Sequence, residues 1–224
     1  MFAVIFEVRP RKERWEAYLG LAKMLRPELE ATDGFIDNER FASKKTEGRV
    51  LSLSIWRDEK SVVRWRTHGG HHGVQEKGRT EVFADYHLRV GEVIADTGLA
   101  TGLQEQRFDQ TEVGAAKLCT ITEVMPAGGA APGTRDDLPG WLGLGPGAVG
   151  LVDHETYESI TNPGKSLVLA SWRDREAASG WTPRASDAGG AIRHRMVRVI
   201  RDYGMFDRRE APQFYPAVTK PDQG

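Results

Sequence analysis

Residues 2–9 form a run of aromatic and β-branched side chains stopped by Pro10, the pattern of a strand covered on both faces. Trp15, Tyr18, Leu19, Ala22, Leu25 and Leu29 then recur at three- and four-residue intervals. That stripe predicts an amphipathic helix whose last turn Pro27 kinks or shortens. Gly34 suits the helix exit, and Phe35–Ser43 and Val50–Trp56 read as two strands of a hairpin around the polar turn 44–49. Asp58 is placed to cap a second helix carrying Val62, Val63 and Trp65, interrupted by Gly69-Gly70 and continued briefly through Lys77. Residues 82–95 supply a long closing strand. The order β-α-β-β-α-β makes one antiparallel sheet with both helices on one face and nothing on the other.

The pattern then repeats at an offset of 116 residues: Ile5-Phe6-Glu7-Val8 returns as Ile121-Thr122-Glu123-Val124, Gly34 as Gly150, Leu51-Ser52-Leu53 as Leu167-Val168-Leu169, Trp56-Arg57-Asp58 as Trp172-Arg173-Asp174, and Trp65 as Trp181. Matches at a fixed offset without a gap indicate duplication. Two sheets, each bare on one face, bury that face against each other, so one chain imitates a dimer. The fold expected is α+β, two ferredoxin-like βαββαβ repeats forming one intramolecular dimeric α+β barrel. The first domain is expected over 1–97, a linker over 98–112, a degenerate second domain over 113–207 and an extended polar tail over 208–224.

Composition narrows the partners. Thirty-one basic against thirty-two acidic residues leave a charge of −1, which favours neither nucleic acid nor an anionic membrane. The apolar start is too short for a membrane span. The lone Cys119 has no partner within the chain for a disulfide and falls in a predicted strand, where a small buried thiol is ordinary. A cytoplasmic protein with a small-molecule ligand is expected, either a monomeric pseudo-dimer or a homodimer.

The copies differ in two places. The segment matching the first helix carries Gly128-Gly129-Ala130-Ala131-Pro132-Gly133 and Gly143-Leu144-Gly145-Pro146-Gly147, and so much Gly and Pro opposes a full helix. A short turn over 136–142 remains, leaving the second pocket either open or filled by a loop carrying Trp141 and Leu142. Towards the end the offset drops to 106, with Val93-Ile94-Ala95-Asp96 matching Val199-Ile200-Arg201-Asp202. About ten residues are therefore missing from repeat two, opposite the segment that holds His68, His71 and His72 in repeat one.

The strand 3–8, Gly34-Phe35-Ile36, the segment 51–58, Trp65-Arg66, His71 with Gln75, Gly78 and Arg79, Phe83-Ala84-Asp85-Tyr86 and the closing Arg201-Asp202-Tyr203-Gly204-Met205 together resemble the antibiotic biosynthesis monooxygenase family. That resemblance implies the dimeric α+β barrel and a range of activities, from cofactor-independent oxygenation of anthrone-like phenols to haem degradation. The haem-degrading branch uses an Asn on the first strand, a Trp on the second helix and an axial His further along it. Trp65 matches the Trp, Val4 (Thr120 in repeat two) stands at the Asn position and Gln75 near the axial position.

The candidate catalytic groups are His71 and His72 with Trp65, and the candidate pocket residues are Val4, Phe6, Phe41, His68 and Gln75. On a continuous helix His68 faces His71 and His72, and His71 faces Gln75. An imidazole beside an apolar pocket can take a proton from a phenol or an activated C–H, leaving an anion that reacts with oxygen, while Trp65 walls the pocket. The competing reading is a solvated helix end, with Trp65 and Trp181 as core packing. Glu7 and Glu123, matched across the copies, read as structural acids paired with Arg57 and Arg173. The basic run Arg193-His194-Arg195 with Arg198 and Arg201 reads as one solvated face of an edge strand. The function expected is a monooxygenase without metal, flavin or other cofactor, acting with O2 on a small aromatic or polyketide-like substrate in the first repeat. Haem binding or degradation and a non-catalytic binding scaffold are the alternatives.

Overall fold

The computed structural model describes residues 1–126, 137–184 and 190–220. Repeat one supplies β1 (Phe2–Pro10), α1 (Trp15–Ala31), β2 (Phe35–Ser43), β3 (Val50–Trp56), α2 (Glu59–Arg66), α3 (Gly69–Lys77) and β4 (Phe83–Asp96). Repeat two supplies β5 (Leu118–Pro126), α4 (Leu138–Trp141), β6 (Leu151–Ser159), β7 (Ser166–Trp172), α5 (Arg175–Ser179) and β8 (Gly190–Gly204). The glycine- and proline-rich stretch 128–133 lies outside the described residues. Pro27 does not end α1, which runs on to Ala31. Gly34 has φ +86°, a left-handed value open to glycine, and sends the chain from α1 into β2.

The eight strands close in the order β1-β3-β2-β6-β7-β5-β8-β4, with every pairing antiparallel. The sheets do more than stack: their edges pair, β2 with β6 and β4 with β8, so no edge is left open. The predicted intramolecular α+β barrel is thus what the duplicated chain builds. Side-chain alternation sends Ala3, Ile5, Leu51, Leu53, Phe41 and Val93 of repeat one and Cys119, Ile121, Tyr157, Leu167, Leu169 and Val197 of repeat two into one interior cluster. The Cys119 thiol is fully buried there, which pushes its pKa up.

β8 is consequently no edge strand, and its basic run is not a solvated face. Arg195 is buried against Asp96 and Glu123, and Arg198 reaches Glu92 and Glu105 at 3.3 and 2.7 Å. The matched acids also take other partners than Arg57 and Arg173. Glu7 pairs with Arg89 and accepts from the Tyr157 hydroxyl at 2.5 Å, while Glu123 meets Arg195 and Lys165. Inward-pointing charges prefer buried counter-charges on the neighbouring strand, β4 for Glu7 and β8 for Glu123, whereas Arg57 and Arg173 sit exposed beside Asp58 and Asp174. For Glu7, burial works to raise the pKa, and Arg89, the Tyr157 hydroxyl and His87 more than offset it, so the carboxyl stays below its ordinary value.

The matched pair Trp56 and Trp172 is structural. Trp56 and Trp172 are buried, their Nε1–H groups donating to Ser54 Oγ and Thr120 Oγ1 at 2.9 Å. Asp58 and Asp174 cap the following helices by accepting from Ser61 N and Ala177 N. Among the described residues, no helix is long and apolar enough to cross a membrane.

Candidate active site

The outward face of the repeat-one sheet and the three helices enclose a cavity of about 200 Å³. Alternation decides who reaches it: Val4 and Phe6 of β1, Asn38 and Arg40 of β2, and Leu88 and Val90 of β4 point outward to the helices. Tyr18, Leu21, Leu25 and Leu29 come from the predicted stripe of α1, and Val62, Trp65, His71, Val74 and Gln75 from α2 and α3. The matching space in repeat two is filled. Leu138, Leu142 and Leu144 are buried against Val168, Ala170, Trp172 and Trp181, so α4 and the residues after it occupy this space.

Of the expected site residues, Val4, Phe6, Trp65, His71 and Gln75 border this cavity together. Phe41 does not, because it sits one position out of phase with Arg40 and points into the barrel interior. The histidines are split as well. α2 ends at Arg66 and α3 begins at Gly69, with His68 in an extended conformation at its start. His68 therefore turns outward to Glu28 at 3.3 Å, with its ring centroid 6.0 Å from that of Trp65. A Cβ at Gly70 would stand 2.6 Å from the Glu28 carboxylate, so glycine there lets α3 lie close to α1. His72 also faces away from the cavity and stacks on Tyr215 with centroids 5.4 Å apart. The Tyr215 hydroxyl donates to Gln75 Oε1 at 2.7 Å and lies 3.0 Å from His72 Nδ1, whose N–H it accepts.

His71 is the histidine turned inward. Its ring stacks on Trp65 with centroids 4.3 Å apart and an interplanar angle of 16°, and its Nδ1–H donates to the Trp65 carbonyl at 3.0 Å. Since a carbonyl only accepts, that bond fixes the tautomer and leaves the lone pair on Nε2. Burial pushes the His71 pKa down to about 4, with His68 and His72 adding to the effect and the Trp65 carbonyl opposing it. The ring is neutral at pH 7 and able to accept a proton.

The sequence reading missed the polar end of the cavity, where Arg66, Arg79, Tyr86, Tyr203, Arg208, Gln213 and Tyr215 gather. The chain after β8 folds back across repeat one: Arg208 donates to the Tyr86 hydroxyl at 2.6 Å, Gln213 to the Arg66 carbonyl at 3.2 Å, and Arg79 to the Pro216 carbonyl at 3.3 Å. One signal was available, since Arg40 and Arg66 interrupt a face that helix packing should make apolar. Among the described residues, no group of three or more His, Cys, Asp or Glu side chains is gathered to hold a metal ion.

The family model for antibiotic biosynthesis monooxygenases matches residues 1–77. A protein of Pyricularia oryzae named jasmonate monooxygenase ABM is 45% identical over 226 residues, an alignment covering 98% of this chain and all of that one. Among solved structures, an aldoxime dehydratase in complex with butyraldoxime superposes with TM-score 0.54 at 11% identity over 89% of this chain and 79% of its own. A second aldoxime dehydratase gives 0.52 at 11% identity over 89% and 81%. At that identity the two structures share the fold alone. The full-length relative and the family match agree with the barrel and its helix-covered cavity: the chain belongs to the antibiotic biosynthesis monooxygenase family and has a monooxygenase-type function.

Proposed function

We propose that the protein oxygenates a small, mainly apolar molecule in the repeat-one cavity, with His71 as proton acceptor and Trp65 as the wall that holds the ring. The observation that carries this reading is the inward His71 imidazole, neutral, stacked and fixed in one tautomer beside an apolar cavity. A C–H made acidic by a neighbouring carbonyl, or a phenol, gives its proton to Nε2. The resulting anion supplies electrons to O2, a C–O bond forms as a hydroperoxide, and loss of water leaves a new carbonyl. In balance, one methylene group and one dioxygen molecule become one carbonyl group and one water. The substrate itself is thus the reductant, and the chemistry calls for neither metal nor flavin. Burial disfavours imidazolium, and attraction between it and the adjacent anion in the low-dielectric cavity offsets part of that cost.

Substrates suited to this chemistry are small aromatic or polyketide-like molecules, and the relative's name adds jasmonate, a cyclopentanone acid with C–H bonds next to its carbonyl. The residues present do not fit haem in the manner of the haem-degrading branch. Val4 has no polar group to offer where an Asn is required, and Gln75 at the axial position is bonded to Tyr215.

The test is oxygen uptake with jasmonate and with an anthrone, using ¹⁸O2 to follow one atom into product. His71→Ala should reduce turnover by about 10²- to 10⁴-fold, the usual contribution of a general base. His72→Ala should reduce it far less. Full turnover in His71→Ala would overturn the assignment.

A further inference from the structure

The cavity's arginine end goes beyond that reading and rests on the same pocket. Arg79 is buried, 4% exposed, and donates to the Tyr86 hydroxyl at 2.7 Å. Arg208 donates to that same hydroxyl at 2.6 Å, so two guanidinium groups share one neutral oxygen. Arg208 is also held over the rings of Tyr203 and Tyr215, its Cζ 5.4 Å from each centroid, and Arg79 lies 5.4 Å from the Tyr215 centroid. Arg66, whose Nε is buried without a hydrogen-bond partner, borders the same space.

Among the described residues none of Arg66, Arg79 and Arg208 forms an ion pair, although most other arginines of the chain do. Buried charges normally meet counter-charges, because desolvation without a partner costs several kcal/mol, roughly. Three cations converging without an acid, beside a cavity that Leu21, Leu25, Leu29, Val62, Val74 and Leu88 also line, describe a receptor for an apolar molecule with one anionic end.

We infer that Arg66, Arg79 and Arg208 form a carboxylate-binding subsite, and that the segment after β8 is the part of the chain that makes the enzyme selective for free organic acids. Arg208 is supplied by that segment, which Tyr215, Gln213 and the Pro216 carbonyl fasten to α3, Arg66 and Arg79. A bound carboxylate supplies the counter-charge these guanidinium groups lack and ties this segment to the helices. An ester or amide of the same molecule leaves the guanidinium groups unpaired.

Calorimetric binding to the full chain tests this with two acids, jasmonate and decanoate, each beside its methyl ester, and with inorganic phosphate. At least one acid should bind about 10- to 100-fold more tightly than its ester, the difference expected for hydrogen bonds to a charged group. Phosphate should not compete. Arg208→Gln should narrow the difference in affinity between acid and ester. Equal affinity of acid and ester for both pairs, failure of both acids to bind, competition by phosphate, or a preference undiminished in Arg208→Gln would overturn the inference. The ligand-side comparison needs no variant, so poor folding of Arg208→Gln does not blunt it. Tight acid binding without oxygen uptake would leave the subsite standing and remove the oxygenase reading instead.

Discussion

At the scale of single residues, one hydrogen bond separates the three histidines. His71 gives its Nδ1–H to the Trp65 carbonyl and stacks inward, whereas His68 and His72 find Glu28 and Tyr215 outside. The buried ring makes stability depend on pH. Its folded pKa of about 4 lies below the ordinary 6.5, so between those values the unfolded chain binds more protons than the folded one. The contribution is complete above pH 6.5 and fades as pH falls towards 4; the shift corresponds to roughly 3 kcal/mol. His194, buried against Trp181, is also shifted to about 4 and adds a similar slope. Urea titrations across that range should show His71→Gln losing about half of the histidine-dependent slope. The sequence placed three histidines in one segment; it could not say which faced inward, because the break at 67–68 turns His68 away from α3 and packing alone decides which side of α3, His71 or His72, meets the sheet.

Among the elements, the asymmetry between the repeats decides where a site exists. Repeat one keeps α1, α2 and α3, which stand off the sheet and leave a cavity, while repeat two lays the short α4 and the leucines after it onto its sheet. Leu142 is fully buried in that filling. Leu142→Ala should destabilise the protein by about 2–5 kcal/mol, as expected for a leucine deleted from a core, measured from denaturant midpoints. Oxygenase activity should change little, because the repeat-one cavity is lined without this loop. That the two copies differ here was legible in their unequal Gly and Pro content. Whether the loop left the pocket open or filled it was not legible, because that depends on how Leu138, Leu142 and Leu144 meet side chains distant in sequence.

For the molecule as a whole, two seams join the repeats, and they are unequal. β4 and β8 pair along nearly their full length, from His87↔Gly204 to Asp96↔Arg195, whereas β2 and β6 pair only at Phe41↔Ser159, Ala42↔Glu158 and Ser43↔Tyr157. The interior cluster nevertheless draws on both repeats, so neither has a complete core alone. Unfolding should therefore be a single transition by both fluorescence and circular dichroism, despite the two-domain pattern of the sequence. Within the native state, hydrogen exchange should be fastest at the β2–β6 seam and slowest along β4–β8, read by mass spectrometry of peptides from each strand.

The sequence by itself determined the strands, the duplication and hence the barrel, because alternation, helical periodicity and turn residues are local properties that a repeated segment states twice. It also marked Trp65, His71, Val4, Phe6 and Gln75 as neighbours of one pocket. Tertiary structure alone decided that Phe41 turns into the barrel, that Glu7 and Glu123 choose Arg89 and Arg195, and that the segment after β8 brings Arg208 and Tyr215 to the cavity. Those choices depend on strand phase, on the counter-charge that the neighbouring paired strand presents and on a segment returning over more than a hundred residues, none of which has a signature in neighbouring positions.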